Sequence, residues 1–183
     1  KMAEAFSNKL TRAAGIVTTS SSGSIGITTT IITGISTVGV AVSDIIDNTN
    51  FIAGTKVTGY GDAASQVVVD QTSTNTATVS GSAVVNFLGM TTAYTSAAAT
   101  KSILIGGTFA NNTSSSVNLT VEIHDASAGI QAAIASKIPV PTGSSFVISD
   151  AGKSVLEATD EVRVFCDTAN AIDVNLSILT GVS

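Results

Sequence analysis

Short runs in which branched apolar residues take every second position dominate this chain, and that rhythm constrains its fold more than any other feature. In "VNLTVEIHD", residues 117–125, Val117, Leu119, Val121 and Ile123 alternate with Asn118, Thr120, Glu122 and His124. Successive side chains of an extended strand point to opposite faces, so this spacing describes a half-buried strand. Only 4% of the 183 residues are aromatic while 44% are hydrophobic, so a core has to be assembled from Val, Ile, Leu and Ala. Branched side chains of this kind pack well on a pleated surface, and the expected class is all-β.

From Gly15 to about Met90 the runs are "SIGITTTIIT", "STVGVAVSDII", "TKVTGYG", "SQVVVDQ" and "ATVSGSAVVNF". Val38, Val40 and Val42 are expected to share one face of a strand. "DNTN" and "GYGD" supply turn residues. Five or six strands with no helix between them predict a small antiparallel barrel or sandwich over 16–90. "TTAYTSAAATK", residues 91–101, has small residues and no strong period; it allows a marginal helix and marks the boundary between modules. Beyond it, "SILIGGTFA", "VNLTVEIHD", "IQAAIASKIPV", "SSFVISD", "KSVLEA", "EVRVFCD" and "AIDVNLSILTG" predict an Ig-like or jelly-roll β-sandwich over 91–183. "TFANNTSSSVNL" is expected to be a hairpin, because Asn111 and Asn112 tolerate positive φ. Pro139 and Pro141 cannot donate ladder hydrogen bonds, so "PVPTGSS" is an edge or a crossover between sheets.

The opening differs. In "AEAFSNKLTRAA", Phe6, Leu10 and Ala13 or Ala14 recur at helical spacing and the pattern stops at Gly15. This predicts a short helix or docking arm over 3–14, with residues 1–15 as a separate N-terminal segment. So short a helix is marginal alone and has to pack against this chain or a neighbouring subunit. Removing residues 2–14 is expected to impair association and to leave the sandwich folded. Met2 is expected to be the natural start, and the opening lacks the apolar centre of a secretory signal.

With 8 basic and 13 acidic side chains the net charge is −5, and no basic run offers itself to a phosphate backbone, so nucleic acid is not an expected partner. The longest apolar stretches are broken before the roughly 20 residues a membrane-spanning helix needs, and no membrane partner is expected. Cys166 is the single cysteine and cannot form an internal disulfide or a thiolate zinc site.

His124, the one histidine, is expected on the exposed face with Glu122 as a same-face neighbour, while Asp125 starts the turn "DASAG". No G-x-S-x-G elbow accompanies it, so a surface or interface histidine is preferred over a hydrolytic triad. "DAGKSV" ends like a phosphate loop, but Val147 stands where its first glycine belongs, which leaves a turn. Asp44, Asp47, Asn48 and Asn50 in "SDIIDNTN" offer oxygen donors to calcium at a spacing unlike an EF-hand, and Asx residues occupy turns for conformational reasons alone. Asp160 and Glu161 form an acidic turn before a strand. Cys166, in alternation with Val162 and Val164, points inward as a small apolar residue. A sugar-stacking platform lacks Trp and has only Tyr60 and Tyr94, far apart in sequence. Catalytic, cofactor-binding and metal-ligating residues are therefore assigned to none.

The segments "TKSILIGGTFANNTSSSVNLTVEIHD", "KIPVPTGSSFVISDAGKSVLEATDEVRV" and "NAIDVNLSILTG" together resemble a β-sandwich of virion structural proteins of tailed bacteriophages, notably marine and cyanobacterial phages. "FSNKLTRAAGIV" is similar to the leader before that sandwich, and "ITGISTVGVAVSDII" with "FIAGTKVTGYG" looks like small β-repeats of phage fibre and appendage proteins. The resemblance implies a non-enzymatic virion component, in a decoration, neck or fibre-attachment role. It implies a homo-oligomer in contact with other head, neck or tail proteins and brings no catalytic residues or cofactors with it. The competing expectation is a receptor- or glycan-binding adhesin that meets a host surface glycan.

Overall fold

The computed structural model describes residues 4–149 and 153–182, which form strands and no helix. In chain order the strands are β1 (Ala5–Ala14), β2 (Ile16–Ile25), β3 (Ile31–Thr33), β4 (Ile45–Asp47), β5 (Val57–Tyr60), β6 (Gln66–Val69), β7 (Val79–Gly89) and β8 (Thr91–Thr95). They continue as β9 (Lys101–Asn111), β10 (Val117–Asp125), β11 (Ile130–Val140), β12 (Ser145–Ile148), β13 (Ser154–Leu156), β14 (Glu161–Cys166) and β15 (Ile172–Val182). Two compact units result: residues 16–90, and residues 1–15 together with 91–183.

The larger unit is a sandwich. One sheet runs β1-β15-β9-β12, with β13 also on β9, and the other runs β11-β10-β14-β8. Strands β12 and β13 take successive stretches of the same β9, at Gly107–Ala110 and Ser102–Leu104, so they fill one strand position between them. Counting that pair once leaves eight positions, in which the first pairs the last, the second the seventh, the third the sixth and the fourth the fifth. This is one long antiparallel hairpin rolled into two sheets, the jelly-roll winding. Of the two sandwiches the sequence allows, the jelly roll is the one formed. All seven strand-like runs after residue 101 are strands, and Phe109, Leu119, Val164 and Leu176 from both sheets are fully buried in one core. Each such side chain contributes roughly 1.5–3 kcal/mol on leaving water.

The N-terminal helix or arm expected over 3–14 is corrected: from Ala5 this segment is β1, the first strand of the jelly roll, paired with β15 from Ala5↔Thr180 to Ala14↔Ile172. A four-residue spacing is also an even spacing, so Phe6 and Leu10 share one face of a strand as readily as of a helix. The unpaired edge of β15 decides between them. Residues 1–15 are accordingly part of the sandwich unit rather than a separate segment. The marginal helix at 91–101 is likewise corrected, since Thr91–Thr95 is β8, paired with β14. The expected hairpin at 108–119 is not one: β9 and β10 lie in different sheets, and their connection is an arch. Neither Asn111 nor Asn112 takes a positive φ. Asn111 is instead buried, donating from Nδ2 to Ser115 O and Val140 O while its Oδ1 accepts from Thr113 N. Pro139 stands on β11, an edge strand, and the chain after it crosses to the other sheet.

In the 16–90 unit a single antiparallel sheet runs β4-β7-β2-β3-β6-β5 around Ile25, Ile32, Val67, Val85 and Phe87. The sheet curls until its edges meet through Ser43 N to Val57 O at 2.8 Å and Val57 N to Asp44 O at 2.9 Å. Only the bridge Ile45↔Lys56 joins β4 toward β5, so the ladder does not close into a barrel. The strand expected through Val38, Val40 and Val42 is corrected: two successive turns occupy it, closed by Val40 N to Thr37 O and Asp44 N to Ala41 O. Gly39 sits at φ +81° and the Asp44 carboxylate accepts the Ala41 N–H, which rotates Val40 into the core and leaves Val38 and Val42 exposed.

Candidate interaction surface

The polar residues singled out by sequence fall into separate structural roles. His124 is half-buried rather than exposed, a correction that follows from its strand: β10 is central, flanked by β11 and β14, and neighbouring side chains cover its outer face. Glu122 on the same face is buried. His124 Nδ1 lies 3.9 Å from Glu161 Oε2, the same oxygen that accepts Arg163 Nε at 2.7 Å. The Arg163–Glu161 pair thus lies beside the imidazole, whose buried Nδ1 has no hydrogen-bond partner among the described residues. Asp125 accepts Ser127 Oγ and Ala128 N, bonds that hold its carboxyl below the usual range. Asp160 is buried, taking Ala126 N on one oxygen and Glu157 N on the other, and so clasps two loops together.

Asn48 forms an Asx turn onto Asn50 N and donates to Val84 O, and Asp44 spends an oxygen on Ala41 N. Among the described residues no three His, Cys, Asp or Glu side chains gather as a metal site would. Cys166 is fully buried, and burial above all pushes its thiol up to about 11. Residues 150–152 of "DAGKSV" lie outside the described residues, and Ser154 opens a strand where a phosphate loop would open a helix. Tyr60 donates to Val40 O at 2.6 Å, and Tyr94 bonds Ser102 Oγ at 2.9 Å.

What the fold does bring together is the outer face of the β1-β15-β9-β12 sheet. Register aligns Phe6 with Leu179, Leu179 with Ile103, and Ile103 with Val155, giving one apolar row across four strands. A second row joins Leu10, Asn175, Thr108 and Val147. Residues directly opposite in antiparallel strands share a face, and here it is the one away from the core residues Val174, Leu176 and Ile178. Phe6 is 64% and Leu10 74% exposed, with Val147 and Val155 above half. Gly106 lowers the middle of the face, where a Cβ would meet Ile148 O at 2.8 Å. Two shallow grooves of about 320 and 280 Å³ result, one beside Leu10 and Thr108 and one between Phe6 and Val147.

Charged pairs border this face at both ends, and exposed Lys153 precedes Val155 along its β13 side. At one end Asp173 accepts Ala13 N at 2.9 Å, a bond that, helped by Asn112 and the Arg12 charge, lowers its pKa. At the other, Lys101 Nζ is 2.9 Å from Glu157 Oε1. A third groove, of about 300 Å³, is lined by Lys9, Tyr94, Thr95, Thr100 and Ser102. Phe6 and Leu10 were legible in the sequence as an apolar stripe. Ile103, Val147, Val155 and Leu179 were not, because only strand pairing makes them neighbours. No family model, curated protein or solved structure matches the chain.

Proposed function

We propose that this protein is a non-enzymatic structural component of a tailed-phage virion that acts through protein–protein assembly. The observation that carries the reading is the outer sheet face, where Phe6, Leu10, Val147 and Val155 stand exposed and half-buried Leu179 and Ile103 complete an apolar row from Phe6 to Val155. Interface cores are depleted of charged residues and hold aromatic and aliphatic ones, and large exposed apolar patches on soluble domains mark contact sites. The jelly-roll winding adds support by analogy, since it is used in viral capsid domains. Antibody labelling of intact virions tests the proposal. Regular labelling at one place on the particle, with the protein recovered from purified particles, is expected. Its absence from purified particles overturns the reading.

A receptor- or glycan-binding adhesin is the second reading, favoured by the hydroxyl-lined groove around Tyr94, which carries one ring and one amine at about the size of a small sugar. Binding on a glycan array that is lost in Tyr94→Ala would favour it over the first.

A further inference from the structure

We infer that β1 is a dimerisation edge, which pairs antiparallel with β1 of a second copy of this chain about a two-fold axis at Asn8. The inference rests on the assembly reading above and names its partner. An edge strand presents a row of unpaired N–H and C=O groups, and native proteins blunt the edges they do not use. Three of the four edges of the sandwich are blunted. Strands β12 and β13 divide one position between them, β8 is five residues long with a register shift against β14, and β11 carries Pro139 and two register shifts against β10. Strand β1 runs without a break from Ala5 to Thr11, its other side held by β15.

Side-chain order names the occupant. The outward positions of this segment read Glu4, Phe6, Asn8, Leu10 and Arg12. Phe6 and Leu10 are exposed, Asn8 Oδ1 accepts Ser177 Oγ at 3.4 Å on the same face, and Arg12 lines the groove beside Leu10. Acidic, apolar, amide, apolar, basic is an order complementary to its own reverse. An antiparallel copy centred on Asn8 sets Glu4 against the partner's Arg12, Phe6 against the partner's Leu10 and one Asn amide against the other, and the two-fold axis makes each of the first two pairs twice. Lys9 then faces the partner's Ser7. A slip of two residues one way sets Lys9 against the partner's Lys9 and Phe6 against the partner's Arg12, and the other way it sets Glu4 against the partner's Leu10. Charge therefore fixes the register as well as the partner. A strand without this order gains the backbone bonds and none of the side-chain pairs. Pairing joins the sheets of the two copies into one continuous sheet across the axis.

Sedimentation of the full chain from about 1 to 500 μM tests the inference. The expected result is a mass that doubles with concentration. Glu4→Arg and Arg12→Glu each set like charges together, and each alone is expected to weaken the dimer about tenfold. An equimolar mixture of the two variants has unlike charges at both pairs again and is expected to dimerise like wild type. A strand merely disturbed by either change gives no such recovery. Asn8→Cys is expected to form a disulfide dimer under mild oxidation, because the axis sets the two Cβ atoms about 5 Å apart. Val84→Cys, at an exposed position of the other unit, is expected to form none, and Cys166 is buried. A wild-type monomer over the whole range overturns the inference even if the protein labels virions, whereas a dimer absent from virions supports it and overturns the virion reading alone. A dimer that the reversals weaken without recovery on mixing overturns it too, as does one that neither reversal weakens and Asn8→Cys does not lock.

Discussion

Asp44 shows how one carboxylate can hold a turn and cost stability together. It is buried at 3% exposure and accepts the Ala41 N–H at 2.8 Å. Burial raises its pKa from 3.8, with the Ala41 bond opposing the shift. A raised carboxyl pKa means the folded state holds the proton more tightly than the unfolded one. Its contribution to stability therefore falls as pH rises from 3.8 through the folded value. Asp44→Asn keeps an acceptor and removes the charge, so urea unfolding is expected to show equal or slightly higher stability at pH 7 and a flatter pH dependence. Asp44→Ala loses the bond from Ala41 N–H and is expected to cost about 1 kcal/mol. Cys166 follows the same sign. With its thiol raised from 9.0 to about 11, chiefly by burial, its stabilising effect is lost only as pH climbs through that window. At pH 8 it is expected to react with a thiol reagent only in denaturant, and fast labelling of the native protein would contradict its place in the core. The burial of Cys166 was legible in its alternation with Val162 and Val164. That of Asp44 was not, since it depends on the turns around Gly39 that replace the expected strand.

Among the elements, β1 carries the largest revision. A detachable arm would leave a folded sandwich behind, whereas β1 satisfies the edge of β15 from Ala5 to Ala14 and buries Ala14 in the core. Deleting residues 4–13 is therefore expected to destabilise the larger unit by about 3 kcal/mol, lowering its melting temperature by roughly 10 °C. It should also leave β15 as a bare edge that promotes aggregation. Unchanged thermal unfolding would restore the arm. The spacing of Phe6 and Leu10 could not separate helix from strand, because four residues suit both periods. The seven later runs were legible because short stretches of strand-forming residues recur between turn residues at regular intervals.

For the whole molecule, the jelly roll is interrupted between its first and second strands, where the chain leaves after Gly15 and returns at Thr91. Gly15 N and Thr91 Oγ1 are 3.3 Å apart, and the 16–90 unit closes on itself with Ile16 paired to Gly89. Units whose ends lie this close tolerate excision. Replacing residues 16–90 by a short Gly-Ser loop is expected to leave the larger unit with a cooperative unfolding transition and a β-type circular dichroism spectrum. Loss of both would show the two units to be one folding entity. What the sequence determined by itself is the all-β class, the seven strands after residue 101 and the inward path of their branched side chains. Those follow from the two-residue period and turn chemistry, which are local properties of the backbone. Only the tertiary structure decided that β1 joins β15, that Val38 and Val42 sit on turns, that Glu122 and His124 are shielded on a central strand, and that Phe6, Leu179, Ile103 and Val155 form one row. The pairings join segments apart in sequence, β1 with β15 across the whole chain, and alternation within a strand carries no record of which strand will lie beside it; the turns at Val38 and Val42 follow from Gly39 and the Asp44 bond to Ala41.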